Sequence, residues 1–79
     1  MTPFDDDTSE WLREIVLELE RAQRKFPAGF HSGHEGYAVI REELDELWEA
    51  VKRDDIPHAK QEAVQVAAMA LRFLVEEWR

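Results

Sequence analysis

Apolar residues recur along this chain at steps of three and four and nowhere alternate strictly, a pattern that predicts helices and no strands. Trp11, Leu12, Ile15, Val16, Leu19 and Ala22 form the first stripe, which ends near Phe26-Pro27. Asp7 is placed to cap that helix, with Glu10 three residues on as its capping-box partner, so it is expected over about 8–25. The connector FPAGFHSGHEG carries Pro27, Gly29 and Gly33, and Ser32 and Glu35 then repeat the capping-box spacing. A second stripe of Tyr37, Ile40, Leu44, Leu47 and Val51 predicts a helix over about 33–53, with that stripe at the centre of its buried side. Gly36, in its first turn, suggests a close backbone approach.

Asp54-Asp55-Ile56-Pro57 ends the second helix. Pro57 suits the first turn of a third one, over about 57–78, with the two aspartates at the positive end of its dipole. Val66, Met69 and Phe73 lie on one side of this helix, and Val64, Leu71, Val75 and Trp78 lie nearly opposite. A helix apolar on two faces is covered on two faces. In so short a chain the second cover is expected from another copy, and at 79 residues a single core is barely sufficient alone. Trp11, Trp48 and Trp78 read as core or interface anchors. The fold predicted is therefore all-α: one domain over residues 1–79, a three-helix chain completed by dimerisation into a four-helix-type core.

Charge narrows the function. Eighteen acidic against 10 basic residues leave a net charge of −8, which repels phosphate backbones, so a bare nucleic acid polymer is not the expected partner. Binding a phosphate would first require a reversed local field, and a divalent cation is the common device. There is no cysteine for a thiolate metal site or disulfide, and no apolar run of membrane-spanning length. A cytoplasmic location is expected, with no membrane partner.

The stretch EELDELWEAVK sets five carboxylates within one helix. Turning about 100° per residue, Glu42, Asp45 and Glu49 fall on the outer side, with Glu49 placed to pair with Arg53. Glu43 and Glu46 fall at the edge of the buried stripe, in a column with Val39 and Ala50. On the third helix Glu62 heads the inward column of Val66, Met69 and Phe73. Buried carboxylates are normally paired, neutralised or metal-bound, and Lys60 and Arg72 are too few to pair all three. Glu43, Glu46 and Glu62 thus converge as oxygen donors between two antiparallel helices, as bundle-core metal sites do. Hard oxygens, without cysteine or a suitably placed histidine, select Mg²⁺, with Mn²⁺ as the alternative. Geometry alone leaves a metal site and a salt-bridged acidic surface both open.

The run Glu42-Glu43-Leu44-Asp45-Glu46, followed after 15 intervening residues by Glu62, resembles the all-α MazG-like nucleoside triphosphate pyrophosphohydrolases, whose signature is E-x-x-E on one helix and E-x-x-D on the next. The likeness extends over GHEGYAVIREELDELWEAVK and KQEAVQVAAMALRFL, within residues 30 to 75. It implies an enzyme that hydrolyses a nucleoside triphosphate between the α and β phosphates, giving a monophosphate and pyrophosphate, and that works as a dimer or dimer of dimers. By the same resemblance Mg²⁺ would be held at Glu43, Glu46, Glu62 and position 65, where this chain has Gln65 instead of aspartate. The water would be oriented by one of these or by Glu42, making Glu42, Glu43 and Glu46 the catalytic candidates.

The remaining candidates serve the substrate. His31 and His34 lack a third ligand at fixed spacing and read as loop or substrate-contact residues. Phe30, His31 and Tyr37 sit where the connector could close over a base, although core packing suits Phe30 and Tyr37 as well. Lys60 and Arg72 are candidate cations for the β and γ phosphates. Gln65 favours an alternative from another class: a catalytically weakened helical dimer that serves as a nucleotide- or protein-binding module.

Overall fold

The computed structural model describes residues 4–76. It is all-α, with α1 over Asp6–Lys25, α2 over Gly33–Lys52 and α3 over Ile56–Val75, each of 20 residues, and no strand among the described residues. Each helix begins on an oxygen-bearing cap. Asp5, not Asp7, caps α1 by accepting from the Thr8 N–H at 2.7 Å. Asp6 and Asp7 fall inside the first turn, where the dipole favours acids. Any of three successive aspartates can cap, and the earliest adds the most helix.

Ser32 caps α2 through the Glu35 N–H, and Glu35 reaches back to the His31 N–H, one residue beyond the usual capping-box donor. The α2–α3 turn is a Schellman closure. The Asp55 N–H bonds the Ala50 carbonyl and the Asp54 N–H that of Val51, with Asp54 at φ 58°, a left-handed position usually given to glycine. Asp55 then accepts from the His58 N–H and caps α3, with Pro57 in its first turn. α3 ends at Val75 with Glu76 as its C-cap, and Trp78 lies outside the described residues.

α3 is the central helix. It packs on both α2 and α1, while α1 and α2 do not pack on each other. α1 of the same chain packs on α3 and leaves Val64 and Leu71 of the second apolar face half-buried, so part of the cover expected from another copy comes from α1, while Val75 remains 53% exposed. The three helices lie in a slab of 37 × 35 × 19 Å, less than two helix diameters thick.

α2 also turns differently than its stripe predicted. Gly36 and Ala50 are its buried residues, in the column of Val39, Glu43 and Glu46, while Leu44 and Val51 are exposed, with Tyr37 at 61% and Trp48 at 57%. Small residues decide this contact. A Cβ on Gly36 would stand 2.6 Å from the Phe73 ring and 3.0 Å from that of Phe30, so only glycine allows the approach. On the α3 side Ala59, in the column of Glu62, Val66 and Phe73, is buried as well. Trp11 and Trp48 are exposed, not core anchors within this chain. No helix among the described residues is long and apolar enough to cross a membrane.

Candidate functional site

Because the small-residue column of α2 faces α3, Glu43 and Glu46 are carried toward Glu62. One carboxylate oxygen from each lies within 4.8 Å of the others. Glu62 is held by its neighbour one turn back, with His58 Nε2 3.1 Å from Glu62 Oε1. Its other oxygen, Oε2, is buried and has no hydrogen-bond partner. Burial, then the Glu46 and Glu62 charges, push the Glu43 carboxyl up to about 7. Glu46 is pushed up too, by desolvation first and then by Glu62. Glu42, Asp45 and Glu49 are exposed, as their helix phase predicts, but so is Glu46, which the same phase put at the edge of the buried side with Glu43, and Glu49 pairs with Lys52 at 2.9 Å instead of Arg53.

A raised folded-state carboxyl makes a testable pH dependence. Between pH 4.5 and about 7 the native chain holds a proton at Glu43 that the unfolded chain has released, so the contribution of Glu43 to stability is fully present below pH about 4.5 and is lost as pH rises through about 7. Thermal melts in EDTA are expected to show this decline, and Mg²⁺, which needs the ionised form, is expected to raise the melting temperature most at the alkaline end. A melting temperature that rises from pH 5 to 7 in EDTA would show that the three carboxylates do not crowd one another.

Beside the cluster, α1 and α2 diverge from α3 to leave a cleft of about 800 Å³. Glu43 belongs to both features, since it lines the cleft and stands in the cluster. Phe30, Val39 and Met69 give the cleft apolar surface, and Arg21, Lys25 and His31 give it nitrogen donors. Glu42, Gln65 and Arg72 also border it. His34 and Tyr37 do not, being exposed on α2 outside the lining, and Lys60 borders a separate small pocket with Trp11 and Ile15. Glu43, Glu46 and Glu62 are therefore together, while Gln65 borders the cleft with Glu18 and Arg21 of α1, and Arg21 holds the Glu18 carboxyl below its ordinary range.

Arg72 is not free to pair with Glu62. It is buried at the end of the cleft, donates to Glu76, and stacks 4.2 Å from the centre of the Phe30 ring. The sequence reading missed His58, Glu18 and Arg21. The four-residue step from His58 to Glu62 was a legible signal, and it places an imidazole beside the carboxylates after all. Glu18 and Arg21 carried no signal, because their role depends on α1 packing beside the cleft. Comparison with protein families, curated proteins and solved structures yields no match for this chain.

The cluster suits a hard divalent cation. Three carboxylates stand close without an intervening cation, one buried oxygen lacks a donor, and Glu46 is open to the water that such a cation retains. Mg²⁺ or Mn²⁺ would be held by Glu43, Glu46 and Glu62, with the imidazole of His58 orienting Glu62 from behind.

Proposed function

We propose that this chain is a Mg²⁺-dependent nucleoside triphosphate pyrophosphohydrolase, cleaving between the α and β phosphates to release a nucleoside monophosphate and pyrophosphate. The observation that carries the reading is the Glu43–Glu46–Glu62 cluster opening, through Glu43, onto a cleft of nucleotide size. The motif spacing described above supports it. A cation bound there supplies Lewis-acid chemistry, lowering the pKa of water and offsetting phosphate charge. The chain's own residues do the rest. Phe30, Val39 and Met69 receive the nucleoside, and Glu42, exposed on the rim next to Glu43 and outside the cluster, is placed to orient a water and take its proton.

The deciding experiment is pyrophosphate release from a panel of triphosphates with and without Mg²⁺. Release that requires the metal supports the reading. One feature favours the binding-module alternative, namely that position 65 is an amide, leaving three carboxylates and not four for the cluster. Nucleotide binding without pyrophosphate release would select that alternative.

We also propose that the protein works in the cytoplasm as a dimer or dimer of dimers. Tyr37, Leu44, Trp48 and Val51 form an exposed apolar stripe along α2. Light scattering is expected to give two or four times the chain mass for the native protein and a smaller assembly for Trp48→Glu. A native protein that is monomeric at about 10 μM would end the dimer reading.

A further inference from the structure

Ten basic residues must serve a chain with 18 acidic ones, and three of the ten, Arg21, Lys25 and Arg72, border the cleft. Their situations differ. Arg72 is committed to Glu76 and to the Phe26 carbonyl, and Lys25 lies 5.4 Å above the Phe26 ring. Arg21 is fixed in position yet remains 61% exposed. Its Nε and Nη2 both donate to the Glu18 carboxylate, which is itself only 13% exposed. Of the five N–H donors of a guanidinium, two are so used and three remain, including both on Nη1. Gln65 borders the same cleft from α3, and it lines a second, smaller pocket together with Glu18 and Arg21.

We infer that Gln65, Glu18 and Arg21 form a phosphate-binding arm: Gln65 and Glu18 are positioning residues, and Arg21 is the group that meets the polyphosphate of the nucleotide. This rests on the nucleotide reading above and adds the identity of the anion contact. The chemistry favours it. A triphosphate held at the α2–α3 carboxylates needs positive charge from a second direction, and α1 stands across the cleft from Glu43. A guanidinium offers paired N–H groups that match two phosphate oxygens, which an ammonium does not. Glu18 orients the planar fork before the ligand arrives and so reduces the ordering that binding requires. An acid in place of Gln65 would put a second carboxylate beside Glu18 and loosen the arm.

The test uses calorimetry with three probes: Mg²⁺ alone, inorganic tripolyphosphate with Mg²⁺, and a non-hydrolysable α,β-imido nucleoside triphosphate with Mg²⁺. Arg21→Gln is expected to weaken both polyphosphates by about tenfold or more and to leave Mg²⁺ alone within about twofold. Arg21→Lys is expected to recover only part of the loss, because charge returns without the fork. Gln65→Leu should weaken the polyphosphates severalfold with the same indifference to Mg²⁺ alone. Circular dichroism of each variant confirms the helices, and exposed Arg21 is not part of the core.

Wild-type affinity for both polyphosphates in Arg21→Gln, alongside lost affinity in Glu62→Gln, would overturn the arm and leave the nucleotide reading standing. Gln65→Leu weakening Mg²⁺ alone would assign Gln65 to the metal and also overturn the arm. No polyphosphate binding by the native protein would overturn both the arm and the nucleotide reading.

Discussion

Replacing Glu62 by glutamine is expected to lower Mg²⁺-dependent pyrophosphate release by at least about a hundredfold, since even the outer-shell partners of a metal ligand typically cost ten- to a hundredfold. The same change is expected to raise the melting temperature in EDTA by a few degrees. The two effects share one cause. Glu62 Oε2 is buried without a donor and faces two further carboxylates, an arrangement that destabilises the protein without a cation. A glutamine amide placed there removes one charge and can donate to Glu43 or Glu46, while the Oε1 position still receives His58.

Glu43→Gln should behave alike, and Glu49→Gln, exposed and paired with Lys52, should change neither quantity. The opposite signs of activity and stability distinguish a cation site from a solvated acidic face, for which all the variants would act weakly and equally. Were Glu62→Gln to lower stability in EDTA and keep pyrophosphate release, the cluster would be a structural feature and the enzymatic reading would be lost.

The helices and the inward acids were legible because both follow from local rules. A cap donates or accepts within one turn, a proline tolerates only the first turn, and a rotation of 100° per residue separates Glu43 and Glu46 from Glu42, Asp45 and Glu49. What the pattern hid was the identity of each partner surface. Tyr37, Leu44 and Val51 recur at apolar spacing and read as inward, yet they are exposed, and the buried residues of α2 are Gly36 and Ala50. Periodicity detects an apolar face and is silent on what lies against it. Close approach is governed by residues with little side chain, which contribute almost nothing to an apolar stripe. The same limit applies to α3, which packs on both α1 and α2 while Val75 of its second apolar face stays exposed. Glu18 and Arg21 escaped for a related reason, because their part in the cleft depends on where α1 packs.

Arg72 supplies the second large effect, which is expected to act through the connector and not through direct phosphate contact. Its guanidinium is 4% exposed, stacked on Phe30 and 5.7 Å from the Phe26 ring, and it donates to Glu76. Glu76 in turn accepts the Phe30 N–H at 3.1 Å, and a Cβ on Gly29, which has φ 75°, would stand 2.8 Å from the same carboxylate. The pair therefore fastens residues 26–30 to the end of α3, and those residues wall the cleft. Arg72→Met keeps volume but leaves a largely buried carboxylate without its counterion, a loss of about 3 kcal/mol. In a chain this short that corresponds to a fall of roughly 12–24 °C in melting temperature.

Adding Glu76→Gln to Arg72→Met should recover much of the stability, because the amide oxygen still accepts from Phe30 and no charge is stranded. The Michaelis constant for the triphosphate should rise in the single variant and return toward native in the double one. A direct phosphate contact by Arg72 predicts otherwise: the double variant would regain stability and stay as weak in nucleotide binding as the single one. Recovery of both together would assign Arg72 to the connector, with Arg21 left as the cation that the substrate meets.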